Sequence, residues 1–463
     1  MVVKRGSSRA GNRGKSRSSA VDPARRAAYD VLRAVSERDS YANLALAPML
    51  AQRGISGRDA AFATEVCYGT LRSRGTLDHI LAAVSSRPLR AMDPVVLDAL
   101  RLGAYQLLYT RVPAHAAVST AVELARVEKG RGVAGFANAV LRRVAERDAD
   151  AWIAELAPVD GLDRLAFAHA HPRWVVQAFA DALGGDPNQV EAALAADNTR
   201  PSVHLAALPG RISREQLAEQ AGGRPGALSR YAVHLPGGSP GELAAVVERR
   251  ATVQDEGSQA VALAVADAPI VGSDSRWLDL CAGPGGKAAL WAALAGQRDA
   301  SLVAVEVAPH RARLVAESVE GLPAQVIQAD GRDVGARAEL PEAGFDRVLV
   351  DAPCTGLGAL RRRPEARWRR TPEDLPGLTA LQQQLLAAGV RAARVGGVVG
   401  YVTCSPHPAE TAAIVAAAEG AELVDARPLF GAAEQWGEGP AVQLWPHRHG
   451  TDAMFLAVFR RLG

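Results

Sequence analysis

Three short runs hold the residues best equipped for chemistry: Asp279-Leu280-Cys281-Ala282-Gly283-Pro284-Gly285-Gly286-Lys287, Asp351-Ala352-Pro353-Cys354 and Thr403-Cys404-Ser405. Each follows an apolar, β-branched stretch. Each is therefore expected at the carboxyl end of a parallel strand, the edge at which open α/β sheets bind ligands. The first run is a glycine turn suited to a nucleoside cofactor. The other two bring a cysteine to the same edge. Together they point to an enzyme that adds a thiolate to an electron-poor ring beside a bound cofactor.

In the turn, Gly283, Gly285 and Gly286 lack Cβ, so the backbone can bend tightly and approach a ligand closely. A dinucleotide fingerprint would read GxGxxG and seat a pyrophosphate. Here Pro284 fills the gap and Gly286 follows directly on Gly285, so a ligand without phosphates fits better. Glu306 ends the next expected strand, where a carboxylate can accept hydrogen bonds from both ribose hydroxyls. Asp330 ends the third and is a candidate for an adenine amino group. A nucleoside carrying a sulfonium suits all three positions. A helix-capping turn with two surface acids would use the same residues, but three such positions at successive strand ends favour a ligand.

Carbon-5 of cytosine or uracil is a poor nucleophile. Adding a thiolate to carbon-6 turns the ring into an enamine whose carbon-5 attacks a methyl group. This chemistry needs a cysteine above the ring, an acid at the ring nitrogen and a base for elimination. Cys404, Asp351 and a base near Cys354 fit these needs. A free thiol has a pKa of about 8.5, so Lys287, arginines or a helix N-terminus must enrich the thiolate. Cys281 and Cys67 read as small core residues. After the second run come Arg361, Arg362, Arg363, Arg367, Arg369 and Arg370, with Trp368 among them. Guanidinium groups bind phosphates and an indole stacks on a base, so Arg361, Arg362, Arg363 and Trp368, with Arg311, are candidate RNA contacts. A solvated basic loop is the alternative.

The elements that must position these residues form a multidomain chain of 463 residues. Residues 1–21 carry Lys4, Arg5, Arg9, Arg13, Lys15 and Arg17 and no acid, which predicts a disordered basic tail. That tail either follows a phosphate backbone or solubilises the chain. Residues 22–145 read as an all-α domain. Asp22-Pro23 opens its first helix, and others are expected at 58–71, 94–109, 119–129 and 135–144. Residues 146–249 read as a linker with a small α/β subdomain: helices at 173–183 and 214–220, strands at 202–208 and 231–235. Residues 250–463 alternate strand and helix, which predicts a Rossmann-like, doubly wound, mostly parallel sheet. Its strands are expected at 277–280, 302–307, 325–328, 347–350, 398–402 and 454–459, and its helices at 287–294, 309–319, 375–395 and 410–419.

Nothing in the sequence resembles a signal peptide or a membrane span. The four cysteines show no CxxC pair, so no metal and no disulfide framework is indicated. A cytoplasmic, monomeric enzyme is the expectation.

The three runs, taken together, closely resemble those of RNA cytosine-5 methyltransferases that use S-adenosylmethionine. Gln254-Asp255-Glu256-Gly257-Ser258-Gln259 is similar to the segment opening that catalytic domain, and His449-Gly450-Thr451-Asp452-Ala453-Met454-Phe455 resembles its closing hairpin. Ala117–Ala125 and Gly135–Arg142 resemble the RNA-binding fold of the antitermination factor NusB. Their fusion resembles the RsmB/Sun (Fmu) type, which modifies 16S ribosomal RNA. The resemblance implies Cys404 as nucleophile, Cys354 in product release and Asp351 orienting the base. It also implies a cofactor pocket of Cys281, Ala282, Gly283, Pro284, Gly285, Gly286, Lys287, Glu306, Asp330 and Asp351, with Lys287 near the cofactor or target base. Two stretches depart from the pattern: Val203-His204-Leu205-Ala206-Ala207 where an Arg- and Asn-bearing strand is usual, and the proline-rich Pro406-His407-Pro408-Ala409-Glu410, which keeps the expected acid. Transfer RNA as substrate, or a non-catalytic RNA-binding assembly factor, are the alternatives. An amino-group methyltransferase is disfavoured, because Asp351-Ala352-Pro353-Cys354 lacks the Asn/Asp-Pro-Pro-aromatic pattern.

Overall fold

Asp22 Oδ1 accepts the Arg25 N–H at 2.9 Å, and with Pro23 at the first helical position it starts α1 (Pro23–Arg38). The computed structural model describes residues 21–38, 40–159, 161–431, 436 and 438–463; all but the last residue of the expected basic tail lies outside them. The chain divides into two compact units, residues 1–156 and 157–463.

The first unit is helical. After α1 come α2 (Ala42–Gln52), α3 (Gly57–Arg72), α4 (Arg74–Val84), α5 (Pro94–Tyr109), α6 (Ala114–Lys129), α7 (Arg131–Val144) and α8 (Ala149–Leu156). Tyr29, Cys67, Ile80, Leu100, Leu124 and Leu141 lie in its buried core, so Cys67 is a packing residue. Helices α5 and α6 cross closely at Gly103, where an added Cβ would lie 2.7 Å from the Ala121 Cβ. The sequence does not announce α2, which carries Pro48 in its interior, or α4, which follows α3 after one residue.

In the second unit α9 (Gly161–Ala168), α10 (Arg173–Ala182) and α11 (Pro187–Asp197) come first. Val175, Phe179 and Leu194 pack there on Leu357, Leu360 and Trp445. A four-stranded antiparallel sheet follows, from β1 (Val203–Ala207), β2 (Arg224–Pro225), β3 (Ala232–Leu235) and β4 (Ala251–Val253), in the order β2-β3-β1-β4. Within it lie α12 (Arg214–Ala221) and α13 (Ala244–Val247).

The large sheet comprises β5 (Arg276–Asp279), β6 (Ser301–Glu306), β7 (Ala324–Gln328), β8 (Phe345–Asp351), β9 (Ala393–Thr403), β10 (Ala421–Val424), β11 (Val442–Gln443) and β12 (Phe455–Arg461). Its path is β10-β12-β9-β8-β5-β6-β7, with β11 beside β12. Strands β5 to β9 pair in parallel, while β12 is antiparallel to both β9 and β10. Helices α14 (Glu256–Asp267), α15 (Gly286–Gly296), α16 (Pro309–Ser318) and α17 (Leu375–Ala392) accompany it. Strand β8 is buried along nearly its whole length, as expected of a parallel strand covered on both faces.

Two expected elements are corrected. The helix expected to reach residue 395 stops at Ala392, because the chain enters β9 at Ala393, earlier than the apolar run from Val398 indicates. The helix expected over 410–419 is a 3-10 turn (Pro408–Glu410) followed by the short α18 (Ala412–Ala416). Pro406 and Pro408 limit its start, and the helix stops at Ala416 with Ala417 as its C-cap, short of Gly420. The last short helix, α19 (Pro446–His449), precedes β12. Among the described residues no helix is long and apolar enough to cross a membrane, and no group of His, Cys, Asp and Glu is placed to hold a metal ion.

Candidate active site

The carboxyl ends of β5 to β9 share one edge. The chain lays down β5, β6 and β7 in one direction, then returns to β8 on the other side of β5. Ligands bind at such a reversal. The turn after β5 and the loop after β8 flank it.

Glycines in the turn permit contacts that a side chain would block. An added Cβ on Gly283 would lie 2.1 Å from Glu306 Oε2. Gly285, at φ +114°, would place one 2.5 Å from Ser318 Oγ. At Gly286 an added Cβ would meet the Gln254 side chain at 3.8 Å, an ordinary contact, so this glycine is the least crowded of the three. Glu306 is almost fully buried; it accepts the Gly283 N–H at 3.1 Å and the Ala308 N–H at 2.9 Å. Each of its oxygens retains a second lone pair, which suits a ribose diol. Asp330 lies just beyond β7, where Arg332 grips both its oxygens and holds its carboxyl below the usual range. Arg311, expected as an RNA contact, donates to the Gly283 carbonyl and lies 3.4 Å from Glu306 Oε2, so it braces the glycine turn. Burial first, then the neighbouring acids Asp279, Asp351 and Glu306, pushes the Cys281 thiol well up, and its side chain packs in the core.

Asp351 ends β8 and accepts from Lys287 Nζ at 2.8 Å. Burial opposes the charge on Lys287, but Asp351 outweighs it and raises the lysine, which stays cationic. Cys354 and Cys404 approach with their sulfurs 3.4 Å apart. The hydrogen bond from Cys354 lowers the Cys404 thiol; burial and Asp351 oppose this, and Lys287 and Arg363 assist it. The same bond, with burial, drives the Cys354 thiol up. Within the pair, loss of a proton is therefore favoured at Cys404 and opposed at Cys354.

The arginine run separates into distinct roles. Arg361 is buried and bridges Asp255 and Asp452 at 2.8 and 2.7 Å. Arg362 reaches the same two carboxylates. Both were expected to contact RNA; their guanidinium groups are instead taken by buried acids. Arg367 has no exposed surface and donates to the Ala170 carbonyl and Asn198 Oδ1, so it is not a phosphate ligand on a solvated loop. Arg363 is exposed, and Trp368 is half-buried. At the first departure from the usual pattern, His204 Nδ1 accepts the Glu256 N–H at 3.0 Å and its ring stacks on His234.

No role is legible in the sequence for the Asp279 carboxyl. Burial, then the Asp351 charge, pushes it up to about 7, and Oδ2 has no hydrogen-bond partner among the described residues. Gln382 and Thr355 also carry no local signal, yet they join Ser405 and Glu410 in a network beside the two thiols.

Residues 270–460 match the model of the 16S rRNA methyltransferase RsmB/F family, and residues 22–146 match the NusB family. The Mycobacterium tuberculosis protein Rv1407, whose name describes it only as a methyltransferase, is 58% identical over 96% of this chain and 97% of its own length. Ribosomal RNA small subunit methyltransferase B of Escherichia coli O6:K15:H31 is 33% identical, over 83% of this chain and 86% of its own. Among solved structures, PH0851 superposes with a TM-score of 0.80 at 20% identity, covering 96% of this chain and 99% of that one. NSun6 from Pyrococcus horikoshii with SFG gives 0.54 at 16%, covering 64% and 99%. At those identities the structural likeness establishes the fold. By its sequence, the chain belongs to the RsmB/F family of 16S rRNA methyltransferases, which use S-adenosylmethionine, and it carries a NusB-family domain ahead of the catalytic one.

Proposed function

We propose that this enzyme methylates carbon-5 of a cytosine in 16S ribosomal RNA through a covalent bond between Cys404 and carbon-6. The observation that carries the reading is the 3.4 Å approach of Cys354 and Cys404 at the sheet edge that also holds Asp351 and Lys287. Cys404, as thiolate, adds to carbon-6 while Asp351 holds the ring nitrogen and exocyclic group. Glu306, Asp330 and the glycine turn hold S-adenosylmethionine, which supplies an electrophilic methyl group. Once carbon-5 is methylated, a base near Cys354 takes its proton, the carbon-6 bond breaks and Cys404 leaves as thiolate. Cys354 carries the proton nearest this leaving sulfur, which fits a role in release. Arg363 and Trp368 are the members of the basic run offered to RNA. The enzyme acts as a cytoplasmic monomer, with residues 22–145 as the RNA-binding domain, 146–249 as linker and subdomain, and 250–463 as the catalytic domain.

The test uses purified Cys354→Ala and Cys404→Ala enzymes with RNA and cofactor. Cys354→Ala should accumulate a covalent protein–RNA species; Cys404→Ala should form none and lose methyl transfer. Full activity of Cys404→Ala would refute the nucleophile. Bisulfite sequencing of ribosomal and transfer RNA from a deletion strain identifies the target; a lost mark in transfer RNA alone would overturn the ribosomal assignment.

A further inference from the structure

The loops bearing the two thiols are tied together by one buried carboxylate. Glu410 has no exposed surface. Its Oε1 accepts the Thr355 N–H at 2.8 Å and Gln382 Nε2 at 3.0 Å, and its Oε2 accepts the Thr355 hydroxyl. Gln382 also donates to the Pro353 carbonyl at 2.9 Å. The backbone on both sides of Cys354 is thus bound, directly or through Gln382, to a single side chain.

The network also reaches Cys404. Thr355 Oγ1 and Ser405 Oγ are 3.1 Å apart. Since the Thr355 hydroxyl donates to Glu410, Ser405 supplies the proton between the two oxygens. Ser405 in turn accepts the His407 N–H at 3.2 Å. The Tyr401 hydroxyl, from β9, donates to the Glu410 carbonyl at 2.8 Å and fixes the acid to the strand that ends at Thr403.

Charge is distributed unevenly around the sulfurs. Glu410 faces Cys354 and disfavours a second anion there. Lys287 and Arg363 favour one on Cys404. Two adjacent thiols would otherwise compete for the same role.

We infer that Glu410 is a positioning residue that gives the two cysteines different roles, holding Cys354 as the partner and leaving Cys404 as the attacking sulfur. The inference rests on the cytosine-methylation reading but is testable without RNA. Full-length enzyme is treated with iodoacetamide across pH 6 to 9, and each cysteine is followed by peptide mass spectrometry. In the wild type, Cys404 should react faster than Cys354. In Glu410→Gln that preference should fall by about tenfold, and the alkaline rise in Cys354 labelling should move to lower pH, because the anion that raises its thiol is gone. Binding of S-adenosylmethionine should stay within about twofold, since a general loss of structure would weaken both. Should Glu410→Gln not fold, Thr355→Val keeps the backbone N–H bond and should lower the preference by about threefold. An unchanged preference in a folded variant overturns the inference. An altered preference, in an enzyme whose Cys404→Ala form still methylates RNA, upholds the hold of Glu410 on the thiols and refutes the methylation reading alone.

Discussion

Lys287 Nζ stands 2.8 Å from Asp351 Oδ2, joining the first turn of α15 to the end of the neighbouring strand β8. The pair balances the acid at the reaction edge, and the lysine also favours the Cys404 thiolate.

Replacing Lys287 with Met should therefore slow methyl transfer by about 10- to 100-fold at pH 7. Without the cation the Cys404 thiol rises, so less thiolate is present and part of the rate should return as pH increases. Single-turnover rates from pH 6 to 9 check this; a uniform loss at every pH would exclude the electrostatic role.

Glu306 should govern the cofactor with little effect on RNA. Glu306→Ala should weaken S-adenosylmethionine binding by about 10- to 100-fold, since it removes the proposed ribose acceptor and leaves the Gly283 and Ala308 N–H groups without theirs. Calorimetry with the cofactor and filter binding with RNA separate the two effects. Equal losses in both would count against the assignment.

Two neighbouring arginines should behave oppositely. Arg361→Ala removes one of two guanidinium partners of the buried Asp255 and Asp452, with Arg362 still reaching both, and should destabilise the protein by about 1–3 kcal/mol. Arg363→Ala should cost less stability than Arg361→Ala, weaken RNA binding and reduce its salt dependence by about one counterion. Denaturant melts and binding at several salt concentrations distinguish them.

Asp197 gives a pH prediction. Burial, against the charges of Arg367 and Arg361, pushes it up to about 7; Asp452 adds to the rise, and the neighbouring His171 is held neutral. An acid whose folded pKa exceeds its unfolded value of about 3.9 stabilises fully below that value and loses the contribution as pH rises through the folded one. Asp197→Asn should therefore match the wild type only below about pH 4, and exceed it by a margin that grows up to about pH 7 and reaches about 2–4 kcal/mol at pH 8. Thermal melts at the two pH values measure this.

Much of the catalytic sheet is legible because buried parallel strands leave short apolar runs, and the reactive residues follow them at once. Leu278 and Val348 lie in such runs, and Asp279 and Asp351 close their strands. The arginine run is less legible. Arg361 and Arg363 differ by two positions, yet only the fold shows that one meets Asp255, 106 residues away, while the other stays exposed. Gln382 is similarly silent: it sits within the long helix α17, and its purpose depends on Pro353 and Glu410 from other loops.

Strand β12 lies between β9 and β10, with Ala457 opposite Tyr401 and Phe455 opposite Thr403. The rib that ends beside the Cys404 sulfur therefore has neighbours on both flanks and no loose hem. A proline at position 457 would unpick that seam and set the sulfur adrift without touching any atom of the chemistry.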